Sequence, residues 1–387
     1  MSKKLRLAQR VGLNQAPVVP EVKITPSEQP DSAALPRKKQ RSSDPVPPST
    51  QKPTPAAPVA AAPAAATPAA AAGRKWTVSI ALPGSIVDNA QTQELRSYLV
   101  GQVARSCAIF NVDEIVVFHT ETGPAASAAM ASADERKGRT SGAVFMARVL
   151  QYLECPQYLR KACFPHHPDL RSVGLIPPLD APHHLRVDER CAYREAVVVE
   201  RPEGKSGGGS DAAGGSCHVY TGLPKELKLD LEVPPGTRLT VRMPAAGARQ
   251  VAHAVAPHEP RETAGLYWGY QVRMAESLAA VWSECPHEGG YDCSIGTSEH
   301  GTHGLAQGDF TLPPFHHLLI VFGGVEGLEP VVAAEEALAD CDDDVGALFD
   351  HYVNLCPAQG SRTIRTEEAL LVGLGALRPF IERSAMA

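Results

Sequence analysis

The sequence predicts an α/β protein that carries a small β-barrel as an insertion and a coreless, disordered tail at its N-terminus. Three observations lead there. A strand-helix-strand succession runs from Trp76 to Phe118, and the same kind of pattern resumes from Gly265 to the end; strands alternating with helices build a parallel sheet through right-handed crossovers. Between them, from Pro177 to Pro260, short apolar runs alternate with Pro and Gly turns, a pattern of small barrels and sandwiches. Ahead of both, Pro and Ala dominate from Pro45 to Ala72 with neither a helical nor a strand period. The chain therefore divides into a tail (1–74), a first α/β part (75–173), the barrel insertion (174–262) and a second α/β part (263–387).

Trp76 to Leu82 is rich in β-branched and aromatic residues and stops at Pro83-Gly84, so it reads as the first strand. A helix follows over Glu94 to Phe110, with Leu95, Leu99, Val103, Cys107 and Phe110 as its buried face. Glu114 to Phe118 has the continuous apolar character of a strand covered on both sides. Thr120 to Ser141 reads as a loop containing Arg136, Lys137 and Arg139; helical patterns return over Ala143 to Leu153 and over Gln157 to Cys163, closed by Pro165. Barrel strands include Ala196 to Glu200, Glu226 to Leu231 and Arg238 to Met243, with a Gly/Ser/Ala loop over Gly204 to Gly215.

In the second α/β part, strands are expected over Leu266 to Val272 and Asp292 to Gly296, with a short helix over Leu278 to Trp282 between them. Leu318 to Phe322 is the most strand-like run of the chain and ends in Gly323-Gly324, at the carboxyl edge where parallel sheets bind ligands. Val331 to Asp344 is an acidic connection, and Leu348 to Val353 leads into the polar stretch Asn354 to Ala369. The final helix places Leu370, Leu374, Leu377 and Ile381 on one face, with Thr366 as N-cap and Glu367 and Glu368 facing the positive end of its dipole. A loop with Gly360 for close backbone approach and Asn354, Gln359, Ser361 and Thr363 for hydrogen bonds suits a small polar ligand. A capped connection without a ligand explains the same residues equally well.

Composition narrows the class. Nothing among the 387 residues reaches the length of a membrane-spanning helix and no signal-peptide core opens the chain, so we read a soluble intracellular protein. Nine cysteines without a C-x-x-C pair argue against a disulfide framework or a zinc ribbon. Gly204-Lys205-Ser206 lacks the upstream glycine of a phosphate loop, since Val199 occupies that position. The His pairs 166–167, 183–184 and 316–317 have no partners at ligand spacing, so no metal is assigned. A net charge of −6 means that any nucleic-acid contact must concentrate positive charge locally. Arg160, Lys161 and Arg171 are candidates for that, a solvated helix face explaining them equally well, and Pro36 to Arg41 is a basic run of the kind used for nuclear import or loose RNA contact, or a solvated charge run.

Three segments, Ile295 to Ser298, Ile320 to Gly327 and Asn354 to Ala369, together resemble the cofactor loops of SPOUT-class RNA methyltransferases. More narrowly, with Ala81 to Gln91, Tyr152 to Lys161 and Ala264 to Tyr270, the chain from about Lys75 onward resembles the eukaryotic and archaeal branch with an inserted OB-like barrel. The resemblance implies a trefoil-knotted domain, S-adenosyl-L-methionine as cofactor, a homodimer, and RNA as substrate. It implies cofactor contacts at Thr297, His300, Gly323, Gly324, Gly327, Asn354, Gly360, Ser361, Thr363 and Ile364. Asp88 and Asn89, with Ser85, follow the first strand and Arg365 adjoins the last loop; these are the candidates for handling the substrate, an arginine there lowering the cost of deprotonating a ring nitrogen. Helix capping is the competing explanation for Asp88 and Asn89. We expect ribosomal RNA as substrate and N3 of uridine as acceptor, with ribose the lesser option, in the nucleus, the nucleolus or the cytoplasm. The rival is a non-catalytic RNA-binding scaffold that keeps the fold.

Overall fold

The computed structural model describes residues 73–120, 140–199, 217–245, 249–305, 310–341 and 344–385. The tail as far as residue 72, the basic group at Arg136, Lys137 and Arg139, and the Gly204 to Gly215 loop lie outside these residues.

Seven strands form one parallel sheet: β1 (Thr77–Pro83), β2 (Glu114–Phe118), β8 (Gln271–Ala275), β9 (Cys293–Thr297), β10 (His303–Gly304), β11 (His317–Phe322) and β12 (His351–Asn354), in the order β10-β12-β9-β11-β1-β2-β8. Every pairing in it is parallel. Such a sheet must be covered on both faces, which is why Val78, Ile80 and Leu82 fall in one core cluster and Ala81, Val116 and Val321 in another. The covering helices include α1 (Gln93–Ile109) and α2 (Gly142–Glu154), and α7 (Thr366–Ser384) packs beside α1. In α7 the expected face is buried at Leu370, Leu374, Leu377 and Ile381.

The strand order carries the threading expected of a knot. β12 lies between β9 and β10, and Val353 pairs with Thr297 on one side and with His303 on the other. The five residues 298–302 therefore cross over the end of β12. Gly301 is needed there, since a Cβ would stand 2.2 Å from the Asn354 nitrogen.

Three elements differ from expectation. In α1 the buried apolar side chains are Leu99, Val100, Val103, Ala104 and Cys107, whereas Leu95 in the first turn is 53% exposed and Phe110 is half-buried. Leu266 to Tyr270 is not strand; β8 begins only at Gln271, after a short helix α4 (Glu259–Ala264). The acidic connection after β11 holds a helical turn, α6 (Glu329–Ala334), and a 3-10 turn over Glu336–Cys341.

The barrel closes on itself in the order β3 (Tyr193–Val199), β4 (His218–Tyr220), β5 (Leu227–Leu229), β7 (Val251–Val255), β6 (Arg238–Arg242). Only β5 and β7 run parallel. Five strands in this closed order form an OB-like barrel, with Ala196, Val198, Val219, Leu227 and Val241 in its core.

A buried polar network fastens the barrel to the sheet domain. Glu154, at the end of α2, accepts from Arg238 of β6 at 2.7 and 3.0 Å. Arg238 also donates to Glu195 of β3 at 2.7 Å, and the other oxygen of Glu195 accepts from Thr240 at 2.6 Å and from the Trp268 indole at 2.8 Å. The segment after α4 thus closes the loop between the two bodies: Tyr267 donates to Val112 O and Tyr270 to Leu150 O, both at 3.0 Å. Gly269, at φ 86°, lies so close that a Cβ would be 2.5 Å from Glu154 Oε1. Burial alone would raise the Glu154 pKa, but Arg238 and His183 hold the carboxyl far below its ordinary range.

Two of the His pairs, 183–184 and 316–317, are engaged in structural hydrogen bonds. His183 and His184 both reach Glu154 O through Nε2, at 2.9 and 2.7 Å, while the backbone N–H groups of His316 and His317 donate to the Asp292 carboxylate. Burial, with His183 beside it, lowers the His184 pKa to about 4. The unfolded chain takes up that proton near pH 6.5 and the folded chain refuses it, so this contribution is present above pH 6.5 and is lost as pH falls towards 4. Thermal melts should therefore weaken between pH 7 and pH 4, by up to roughly 3 kcal/mol from this group. His184→Gln should flatten the slope; an unchanged slope would remove His184 from the account.

Candidate active site

The three strands β12, β9 and β11 are neighbours in the sheet although far apart in sequence, so their carboxyl ends present three loops to one place. Residues 297–300, 323–327, 354–356, 359 and 362–364 line a single cleft there, backed by Thr366, Ala369 and Val372 at the start of α7.

The middle loop is a tight turn. Gly324 N–H donates to Gly327 O and Gly327 N–H to Gly324 O, both at 3.2 Å. Gly327 has φ 84°, which L side chains rarely adopt. At Gly323 a Cβ would be 2.6 Å from the Gly327 carbonyl carbon, whereas at Gly324 it would meet only Pro83 Cγ, at 3.8 Å. Gly323 is thus required by the turn and Gly324 leaves open space beside the cleft.

Side chains stitch the loops together. Asn354 Nδ2 donates to Glu299 O at 2.9 Å and its Oδ1 accepts from Cys356 N–H at 3.1 Å. Glu329 accepts from Tyr352 at 3.0 Å and from Ser298 at 3.3 Å. Burial pushes the Tyr352 phenol up to about 12, so it stays a donor. Thr366 donates to Gly323 O at 2.9 Å, tying the helix start to the end of β11. This occupies the hydroxyl expected to cap the helix: α7 begins at Thr366, and the N-cap position falls to Arg365.

Of the residues expected at a cofactor, Thr297, His300, Gly323, Gly324, Gly327, Asn354, Thr363 and Ile364 line the cleft. Gly360 and Ser361 belong to the same loop but not to the wall, which is built by Gln359 and then by Arg362 to Ile364. Arg365 also lies outside the wall; its N–H donates to Glu368 at 3.0 Å as the helix starts. Arg362 stands in its place, exposed and without an ion pair to any described residue.

Asp88 and Asn89 do not line the cleft either. They sit on the 3-10 turn Gly84–Asn89, where Asp88 pairs with Arg96 at 2.6 Å and Asn89 is exposed. Neither caps α1, because Thr92 accepts from Leu95 N–H. Sequence reasoning missed Glu329 and Arg362 as wall residues. Glu329 follows the glycine turn by two positions, a signal present but unread; Arg362 was passed over because only the trace of the loop distinguishes it from Arg365.

A family model described as "Putative RNA methyltransferase" matches residues 77–377, which takes in the sheet, the barrel and the cleft. The chain belongs to this family. Among relatives of this methyltransferase, the "28S rRNA (uridine-N(3))-methyltransferase" of Mus musculus is 50% identical over 314 residues, covering 79% of this chain and 77% of the relative. The protein of the same name from Homo sapiens is 50% identical over 316 residues, 79% of each chain. That of Drosophila melanogaster is 44% identical over 318 residues, 79% of this chain and 62% of the relative. The enzyme class, an RNA methyltransferase, follows from these likenesses. No helix among the described residues is long and apolar enough to cross a membrane.

Proposed function

We propose that the protein uses S-adenosyl-L-methionine to methylate N3 of a uridine in ribosomal RNA. The observation that carries this is the convergence of the three loops, one of them a glycine turn with free space beside Gly324, on a single cleft. The names of the mouse and human relatives support the acceptor and the RNA.

The donor fits the cleft by chemistry. Backbone groups of 323–327 and 354–364 would hold an adenine, and Glu299, Glu326 and Glu329 supply carboxylates for ribose hydroxyls and for positive charge. When bound, the donor supplies an activated methyl group on a positively charged sulfur. The protein is left to align the acceptor and to make loss of the N3 proton less costly. Arg362 lines the cleft, and its guanidinium would serve the second task by stabilising negative charge spread over the uracil ring. We assign it the role that the sequence suggested for Arg365, with Asp88 acting on the Arg96 side of the turn rather than on the substrate.

A homodimer is part of the proposal. Leu95, Tyr98 and Ile109 on α1 and Leu371 and Val372 on α7 are exposed apolar side chains on two helices that pack together. Import into the nucleus is proposed from the run Arg37 to Arg41.

Mapping methylated nucleotides in total RNA with and without the protein tests the central claim. One N3-methyluridine in a large ribosomal RNA should disappear, and light scattering on the same protein should give twice the monomer mass. An unchanged map would leave an RNA-binding scaffold as the better reading.

A further inference from the structure

A second concavity lies away from the cleft. It is a cavity of about 480 Å³ between the end of α2 and the segment that follows α3 (Gln157–Cys163), walled among others by Tyr152, Pro165, His166, His167, Pro168 and Arg171. Its walls are held in place. The Arg160 guanidinium lies 4.6 Å from the Tyr152 ring centroid, and Phe164 meets that ring edge-on at 5.3 Å. Arg160 is committed to this work, donating to Cys155 O at 3.0 Å and to Leu153 O at 3.2 Å, so it is not the phosphate grip expected from the sequence.

His167 is fixed as well. Asp169 N–H donates to its Nδ1 at 3.2 Å, and Arg148 approaches the same nitrogen at 3.4 Å while pairing with the Asp169 carboxylate. Thr140 donates to the other Asp169 oxygen at 3.1 Å. The Asp169 carboxylate also lies 3.4 Å from Nδ1, so that side of the ring is engaged, while Nε2 bonds to no described residue. Arg171 is exposed, with Glu94 as the carboxylate that senses its charge. Among the described residues no carboxylate lines the cavity.

Flat aromatic and proline walls with cationic and N–H donors at the rim match a nucleotide, whose base offers a π face and whose phosphate offers charge. The position fits a polynucleotide. Pro168 O accepts from Gln93 Nε2 at 2.6 Å, and Gln93 opens α1 four residues after the 3-10 turn Gly84–Asn89, which follows Pro83 beside Gly324. The segment from Pro83, which adjoins Gly324, to Gln93, which bonds Pro168, thus links the cleft wall to the cavity wall.

We propose that this cavity holds a nucleotide of the RNA substrate other than the one methylated. Its base lies against Tyr152 and Pro168 and its phosphate meets His167 Nε2 and Arg171. The proposal rests on the reading of RNA as the substrate, and it makes the site an anchor that sets which uridine reaches the cleft.

Fluorescence anisotropy of the full chain with labelled oligouridine tests it, alongside calorimetry with S-adenosylmethionine. Arg171→Glu and Tyr152→Leu should each weaken oligouridine binding about tenfold and leave donor uptake unchanged. Photocrosslinking of 4-thiouridine RNA should mark a peptide within 148–171. Oligouridine affinities within about twofold of wild type in both variants, no binding by the wild type, or no crosslink in that peptide would overturn the site. Donor uptake without any effect of these variants would spare the methyltransferase reading while removing the anchor. Loss of RNA binding in Arg171→Glu with no donor uptake by the wild type would keep the anchor and remove the cleft assignment.

Discussion

Replacing Gly324 by arginine is expected to abolish methyl transfer, a loss of at least about a thousandfold, with the fold intact. A β-carbon at this position meets nothing closer than Pro83 Cγ at 3.8 Å, so the backbone accepts a side chain there without strain. The room it would occupy adjoins the cleft, and a long cationic chain in that room competes with a sulfonium-bearing ligand by volume and by charge. Gly324→Ala is the control and should retain most activity. Gly323→Ala should behave differently, because its Cβ would stand 2.6 Å from the Gly327 carbonyl carbon and open the reciprocal bonds between Gly324 and Gly327. Calorimetric titration with S-adenosylmethionine separates the cases. Wild-type affinity in Gly324→Arg would show that the cleft is not where the donor binds.

Glu154→Ala should cost about 3–5 kcal/mol, the range for breaking a buried ion pair from one side. The carboxylate is 9% exposed and answers two nitrogens of Arg238 as well as His183. Removing it leaves Arg238 with Glu195 alone and leaves a void beside Gly269. The melting temperature should fall by on the order of 10 °C. RNA affinity should fall more than donor affinity, because the barrel loses its fastening while the loops of β9, β11 and β12 keep theirs. A melting temperature within about 2 °C of wild type would mean that the aromatic anchors Tyr267, Trp268 and Tyr270 hold the junction without the carboxylate.

Periodicity reads those features whose cause is local. The β11 run reads as a buried strand because a parallel strand is apolar on both faces, and α7 shows its buried stripe because its face repeats at 3.6 residues. Gly323-Gly324 was legible as the end of the β11 strand because glycine interrupts the apolar run. Leu95 was misread because apolar spacing shows which residues share a face but not how far along the helix the cover extends.

What the sequence by itself determined is therefore the class of fold, the inserted barrel, and the loops that carry the cleft. Only the tertiary structure decided that Arg362 rather than Arg365 lines that cleft, that Asp88 pairs with Arg96, and that Glu154 joins barrel to sheet. Those outcomes depend on contacts between residues distant in sequence, such as Glu154 with Arg238 and Asn354 with Glu299. Local spacing carries no record of such contacts, because strand order and chain threading set them.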